Sequence, residues 1–388
     1  MNYGVDRRLG LVVAANDRVL SLRAADDHGL LGDIDRLTKD DLRANTLNPI
    51  LAAGRDAWTG LHERVASLIR NEDDQRLHVD LDALTLTLPF DVADYVDFYS
   101  SIHHATNLGR LLRPGSEPLL PNWRHLPVSY HGRAGTVVVS GTPVRRPRGL
   151  IATDDGTPQY RPTARLDIEL ELGVVVGGHT ALGEPLAIEH VDRHIFGLVL
   201  LNDWSARDIQ AYEYQPLGPH LGKSFATSIS AWVTPVDDLR PFLVPGPEQE
   251  PAPGEHLRTE QWWGIDLDLR VLLQSREMRR DATPPVEVSS TNFAGMYWTI
   301  GQQLAHATAN GASLRPGDLY GSGTVSGPER GSEGSFIELS WGGERPIELP
   351  DGTTRTFLED GDRVILEGSA GDAVRLGPVE GEILPAAT

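Results

Sequence analysis

The chain has 388 residues, enough for two domains or one large domain with a smaller partner, and it can bury a core without cross-links. Acidic residues outnumber basic ones 55 to 35, and the formal net charge of -20 repels phosphate backbones and anionic lipid, which argues against nucleic-acid and membrane-surface roles. There is no cysteine, so disulfides, thiolate zinc sites, cysteine-ligated iron-sulfur clusters and a cysteine nucleophile are excluded, and chemistry must use oxygen and nitrogen groups.

The first residues, Met1 to Arg8, lack the apolar core of a signal peptide, and no stretch approaches the roughly 18 apolar residues of a membrane span, so a cytoplasmic protein is expected. Leu11-Val12-Val13 and Val19-Leu20 flank the turn-forming Asn16-Asp17, which predicts a hairpin over residues 10 to 22. From Arg55 to Arg70, Trp58, Leu61, Val65 and Leu68 recur at helical spacing, so one helix face is buried. The polar run after Arg70 places a linker near 71 to 90 and an N-terminal domain at 1–90. In the second domain, 91–388, Ser100 or Ser101 caps a helix that runs toward Arg113 and stops before Pro114-Gly115. Strands are expected at 136 to 140, at Leu166 to Leu172, at Ile195 to Leu201, and at 265 to 273, 335 to 341 and 363 to 367. Pro241 to Pro253 reads as a surface excursion. Phe293, Met296, Tyr297, Ile300 and Leu304 share one helix face, with Thr291 or Asn292 as its cap and Gly311 at its end.

Several clusters along this frame carry chemistry. In Leu166-Asp167-Ile168-Glu169-Leu170-Glu171-Leu172, period-two geometry puts three carboxylates about 7 Å apart on one strand face, which needs water or a cation; an ordinary solvated face is the competing reading. Asp203 ends the apolar run from Phe196 to Leu201, where site residues are common, although Asn-Asp is also a turn signal. Ser205-Ala206-Arg207-Asp208 resembles a capping box, after which Arg207, Gln210 and Tyr214 fall on one helix face that is either a polar surface or a binding face. Asp97 and His104 flank the capping serines, and spacing alone does not separate His104 from His103 as a base. Two motifs are decoys. Gly222-Lys223-Ser224 ends like a phosphate loop but has Leu217 where the first glycine belongs, and the glycine-rich run from Gly321 to Gly327 has one residue too many for a dinucleotide fingerprint. The latter reads as a tight loop that can approach a ligand.

Longer runs point to one family. Asp97-Phe98-Tyr99-Ser100-Ser101 with His104-Ala105-Thr106-Asn107, Pro127-Val128-Ser129-Tyr130-His131-Gly132-Arg133, and Asn202-Asp203-Trp204-Ser205-Ala206-Arg207-Asp208-Ile209-Gln210 resemble the fumarylacetoacetate hydrolase family in its full-length, two-domain type. So do Pro216-Leu217-Gly218-Pro219, Leu221-Gly222-Lys223-Ser224-Phe225 and Leu314-Arg315-Pro316-Gly317-Asp318-Leu319, and the likeness spans nearly the whole chain. It implies a mainly β fold with some α, an N-terminal SH3-like small barrel, a mixed β-sandwich or roll catalytic domain, and a homodimer.

The same resemblance implies hydrolysis of the carbon-carbon bond of 4-fumarylacetoacetate, a dicarboxylate diketone, to fumarate and acetoacetate at the end of tyrosine and phenylalanine breakdown. Matched by position, the metal carboxylates fall on Asp97, Glu169, Glu171 and Asp203, with Asp167 as a neighbour and Lys223 and Thr227 beside a magnesium site. Hard oxygen ligands select Mg²⁺, Ca²⁺ or Mn²⁺. The base falls on His104, oriented by Glu338, with Arg207, Gln210 and Lys223 stabilising the oxyanion. Substrate contacts fall on Tyr99, Arg113, Tyr130, Gln210, Tyr214 and Thr324. The competing functions are a same-fold acylpyruvate hydrolase, decarboxylase or hydratase, and a calcium-stabilised acidic β protein without activity.

Overall fold

The strand Ile195–Asp203 is buried along its whole length, which is why its sequence is an unbroken apolar run and not an alternation. In the computed structural model, which describes residues 1–15, 18–70, 78–153 and 155–388, this strand lies near the middle of one long mixed sheet. It pairs antiparallel with Leu170–Val176 on one side and with Thr227–Ile229 and Trp232–Pro235 on the other. Beyond Leu170–Val176 come Leu319–Gly321, then Tyr95–Phe98 in parallel, then Ser129–His131. This order brings strand ends from distant parts of the chain to one edge of a shared surface.

At its other side the sheet continues into the N-terminal residues. Trp232–Pro235 pairs with Asn2–Asp6 through Tyr3 and Gly4, and the ladder runs on through Gly10–Ala15, Arg18–Ser21 and His78–Val79. The helix Arg55–Arg70 covers this region with the expected face: Trp58, Leu61 and Val65 are buried together with Val5, Leu11, Phe196, Val199 and Leu201. Trp58 meets Phe196 edge-on at 5.4 Å. The N-terminal unit and the large sheet therefore share one apolar layer. A second sheet, with Asp268–Gln274 between Val286–Asn292 and Arg363–Ala370, packs against the first, and Leu198, Leu200, Leu269, Val271 and Leu366 belong to one core. That is the mainly β sandwich with added helices that the resemblance implies. Among the described residues no helix is long and apolar enough to cross a membrane.

Several local expectations are met: strands Gly10–Ala15 and Arg18–Ser21, whose turn at 16–17 lies outside the described residues, and the helix Ile102–Leu112, capped by Ser101 and not Ser100. Others are corrected. Of the expected linker, 71–77 lies outside the described residues, whereas 78–90 is bonded into the N-terminal ladder; Thr87 N donates to Val5 O at 2.9 Å. The helix expected from Phe293 is a 3-10 turn, Phe293–Gly295, followed by a helix only at Ile300–Thr308, because Thr299 and Gln302 form the capping box seven residues later. Ser205 does not cap the next helix; Ser205–Ala206 pairs with Leu166–Asp167, and the helix Arg207–Glu213 follows. The strand expected at 335 to 341 is a helical turn, Phe336–Leu339. Its cause is a distant carboxylate, Asp167, which accepts hydrogen bonds from Phe336 N and Ile337 N at 2.7 and 3.0 Å.

Candidate active site

Asp97 lies on Tyr95–Phe98, Glu171 on Leu170–Val176, and Asp203 at the end of Ile195–Asp203. The strand expected over Leu166 to Leu172 is interrupted at Ile168 and Glu169. In that break Glu169 N donates to Asn202 Oδ1 at 3.2 Å, and Asp203 N donates to Glu169 O at 3.2 Å. The break takes Asp167 out of the row while Glu169 and Glu171 remain. One oxygen from each of Asp97, Glu169, Glu171 and Asp203 lies within 4.8 Å of the others, and all four residues are buried. A solvated face is ruled out.

Four buried carboxylates repel one another. Burial, then the neighbouring charge of Asp203, pushes Asp97 well above the usual carboxylate range; burial, then Asp97, does the same to Glu171. Glu169 goes the other way: burial opposes its charge, but Lys223, Arg207 and His104 outweigh that and hold it well below. Asp97 Oδ1 and Glu171 Oε1 are buried without a hydrogen-bond partner. Orphaned carboxylate oxygens of this kind are what a hard dication satisfies, so the four residues fit an oxygen-ligated divalent ion.

Cations and hydroxyls surround the acids. Lys223 Nζ donates to Glu169 Oε2 and, at 2.7 Å, to Asp203 Oδ2. Tyr130 OH donates to the same Asp203 oxygen at 2.8 Å, and Thr227 Oγ1 reaches Asp203 Oδ1 at 3.4 Å. Arg207 Nη1 contacts Glu169 Oε1 at 2.6 Å and Gln210 Oε1 at 3.3 Å, while its Nε donates to Asp167 Oδ2 at 2.7 Å. Burial disfavours both cations, yet their carboxylate partners raise the pKa of each above its ordinary value, so both are charged.

The imidazole of His104 stands on the helix Ile102–Leu112, almost fully buried, with Nδ1 2.6 Å from Glu338 Oε2 and Nε2 4.0 Å from Glu169 Oε1. A carboxylate on Nδ1 makes Nδ1 the protonated nitrogen and leaves Nε2 as the acceptor facing the acids. Burial opposes charge on Glu338, but His104 and hydrogen bonds from Ser335 and Asn107 hold its carboxyl below the ordinary value. Ser326 Oγ adds another bond at 2.9 Å. Tyr99 meets the imidazole edge-on at 5.2 Å. His103 faces a separate surface groove with Arg110 and Pro328.

A cavity of about 410 Å³ opens over this constellation. Its walls include Asp97, His104, Glu169 and Lys223, together with Tyr99, Arg113, Tyr130, Arg207, Gln210, Tyr214 and Thr324. Glu338, Glu171, Asp203 and Thr227 lie behind that wall. Thr324 Oγ1 and Arg207 Nη2 are buried without partners, as is Arg113 Nε, whose neighbouring Nη2 donates to Pro118 O at 2.8 Å. The structure thus gathers the acidic, basic and substrate-contact candidates around one cavity, while His103 lies outside it and Asp167 outside the carboxylate group. It adds Asn107, Ser326 and Ser335 around Glu338. Asn107 was legible as the residue one helical turn after His104; Ser326 was not, since only the path of the glycine loop delivers it. In that loop Gly323 N donates to Glu171 Oε2 at 3.0 Å, a carboxylate contact and not a phosphate one.

The fold and the site define a class: a β-rich protein whose buried acids sit beside an imidazole-carboxylate pair. The description "Fumarylacetoacetase N-terminal" matches residues 5–89 and "Fumarylacetoacetate (FAA) hydrolase C-terminal" matches residues 95–383. The chain belongs to the fumarylacetoacetate hydrolase family. It is 46% identical over 402 residues to the fumarylacetoacetase of Homo sapiens, covering 99% of this chain and 95% of that one. With the fumarylacetoacetase of Bos taurus it shares 47% over 387 residues, 96% of this chain and 91% of that one. Among solved structures, that of a putative HpcE protein from Mycobacterium smegmatis is similar in fold, with a TM-score of 0.57 at 16% identity and complete coverage of both chains.

Proposed function

We propose that this enzyme hydrolyses 4-fumarylacetoacetate to fumarate and acetoacetate, with His104 as general base and a divalent ion held by Asp97, Glu169, Glu171 and Asp203. The observation that carries the reading is the direction of one imidazole: Nδ1 is bound to Glu338, and Nε2 faces the acidic cluster at the floor of the cavity. Water is a poor nucleophile at neutral pH. His104 Nε2 takes its proton as the oxygen attacks the ketone carbon of the fumaryl group, and general bases of this kind contribute about 10² to 10⁴ in rate. Glu338 fixes the tautomer and stabilises the imidazolium that forms.

The tetrahedral adduct then breaks its carbon-carbon bond. The electron pair leaves with the acetoacetate half as an enolate, the fumaryl carbon becomes a carboxylic acid, and a proton returns to the enolate carbon. A divalent ion in the carboxylate cage supplies Lewis-acid stabilisation of that negative charge. Arg207, Gln210 and Lys223 offer donors and charge to the same oxyanion. Arg113, Tyr99, Tyr130, Tyr214 and Thr324 bind the rest of the substrate, and Arg113 supplies the positive charge that a terminal carboxylate needs in a protein of net charge -20. Mg²⁺, Ca²⁺ and Mn²⁺ all suit the oxygen donors, with Lys223 and Thr227 flanking a magnesium position. The reading includes a cytoplasmic homodimer acting at the end of tyrosine and phenylalanine breakdown.

Purified protein with Mg²⁺ is expected to consume fumarylacetoacetate, followed as loss of its ultraviolet absorbance beside an acylpyruvate control. No loss with metal shown to be bound overturns the proposal, and faster turnover of the acylpyruvate reassigns the substrate. His104→Ala is expected to abolish turnover while metal still binds.

A further inference from the structure

Asp167 has no step in the reaction above, yet its carboxylate is fully buried and every contact of its two oxygens is specific. Oδ1 accepts from Ile168 N and Phe336 N, both at 2.7 Å. Oδ2 accepts from Arg207 Nε at 2.7 Å and Ile337 N at 3.0 Å. Phe336 and Ile337 begin the turn that carries Glu338, and Glu338 in turn holds His104 Nδ1. The other arm, Arg207, reaches Glu169 and Gln210.

The alternative local cap is already engaged. Ser335 stands immediately before the turn, where serine ordinarily accepts from the backbone, but its side chain makes no cap bond and Oγ donates to Glu338 Oε2 at 2.7 Å. Asp167, 169 and 170 residues away in sequence from those N–H groups, satisfies them and leaves the serine hydroxyl to the base-orienting carboxylate. Simple neutralisation of Arg207 does not require this, because Glu169 also pairs with the guanidinium.

We propose that Asp167 is a positioning residue: one carboxylate fixes both the turn that aims Glu338 at His104 and the guanidinium that faces the substrate, so that base and oxyanion donors keep a common geometry. The inference rests on the proposed roles of His104 and Arg207. An amide cannot replace this carboxylate, because each oxygen accepts two donors, and an NH₂ group at either position leaves two buried donors unsatisfied.

The test is D167N in the metal-loaded enzyme, with Asp167→Glu as a second variant. For protein labelled with ¹⁵N in histidine, the downfield Nδ1–H resonance of His104 is identified by its loss in His104→Ala. In D167N this resonance is expected to move or broaden although Asp167 touches neither His104 nor Glu338. kcat is expected to fall about 10²-fold, the scale of a 1 Å misplacement, with metal affinity retained. A folded D167N with the wild-type resonance overturns the inference, whether or not kcat falls, since a loss without that signature comes through Arg207 or stability alone. If D167N does not fold, Asp167→Glu decides by the same two readings: a moved resonance with lowered kcat supports positioning, and wild-type values overturn it. Wild-type turnover is measured first. Its absence defeats the functional reading, while the resonance comparison, which needs no substrate, still decides the role of Asp167.

Discussion

At Gly321 a Cβ atom would lie 2.7 Å from Asp97 Oδ1 and 2.9 Å from Glu171 Oε2. Real side chains do not approach carboxylate oxygens so closely, so glycine here is required by the acids and not by backbone conformation. Gly323, two residues on, combines φ of +78° with a Cβ position 2.4 Å from Phe98 O, so both space and conformation demand glycine. These contacts explain why the glycine-rich run that imitates a dinucleotide loop is present at all: it lets backbone pass against the acidic cage. Gly321→Ala is expected to fold but to weaken divalent-ion affinity about tenfold to a hundredfold, the range for groups that orient metal ligands. Isothermal titration with Mg²⁺ and Mn²⁺ checks this, and an unchanged affinity shows that the acids can shift at no cost.

The elements behind the cage carry their own strain in charge. Asp318 precedes the strand Leu319–Gly321, its Oδ2 accepts from Arg315 N at 2.9 Å, and burial pushes its pKa up to about 6. In the unfolded chain this carboxyl titrates near 3.9. The folded state therefore binds the proton more tightly, and a stability penalty develops as pH rises from about 4 and is complete above about 6. Asp318→Asn removes that penalty, so the variant is expected to gain on the order of 2 kcal/mol at pH 7 and little near pH 4. Urea unfolding at the two pH values measures it; an equal difference at both removes ionisation as the cause. Elements were legible where the local pattern was strong, as in Arg55–Arg70, where one face buries Trp58, Leu61 and Val65. They failed where a partner far along the chain decides. Phe336–Leu339 reads as a strand until Asp167 binds its first backbone N–H groups, and the row of three carboxylates is broken because Asp203 N and Asn202 Oδ1 engage the backbone of Glu169.

At the scale of the whole molecule the acidic cage would couple folding to a divalent ion held in it. Asp97, Glu171 and Asp203 lie on three strands of the long sheet, the last two adjacent and the first separated from them by Leu319–Gly321, so an ion shared among them would tie those strands together. Ion binding to the folded state alone adds about 2.7 kcal/mol of stability at a hundred times Kd. Chelation with EDTA is expected to lower Tm, and readdition of Mg²⁺ or Mn²⁺ to restore it in proportion to the logarithm of concentration. Because burial and like charge hold Asp97 and Glu171 above their ordinary range, binding displaces protons, and affinity is expected to rise with pH and fall in acid. Calorimetry in buffers of different ionisation enthalpy checks the proton release; a pH-independent affinity contradicts it.

Long ordered runs of residues carried the resemblance to the family, while local composition and spacing determined the absence of thiol chemistry, the apolar strands and the chemical character of each candidate group. Convergence was decided in three dimensions. Asp97, Glu171 and Asp203 meet only through strand order, His104 and not His103 lines the cavity because of the side of the helix it occupies, and the Glu338 turn forms on the carboxylate of Asp167. Hydrogen bonding and Coulomb interactions act over a few ångströms of space whatever the separation in sequence, so the partner that fixes each group can lie more than a hundred residues away.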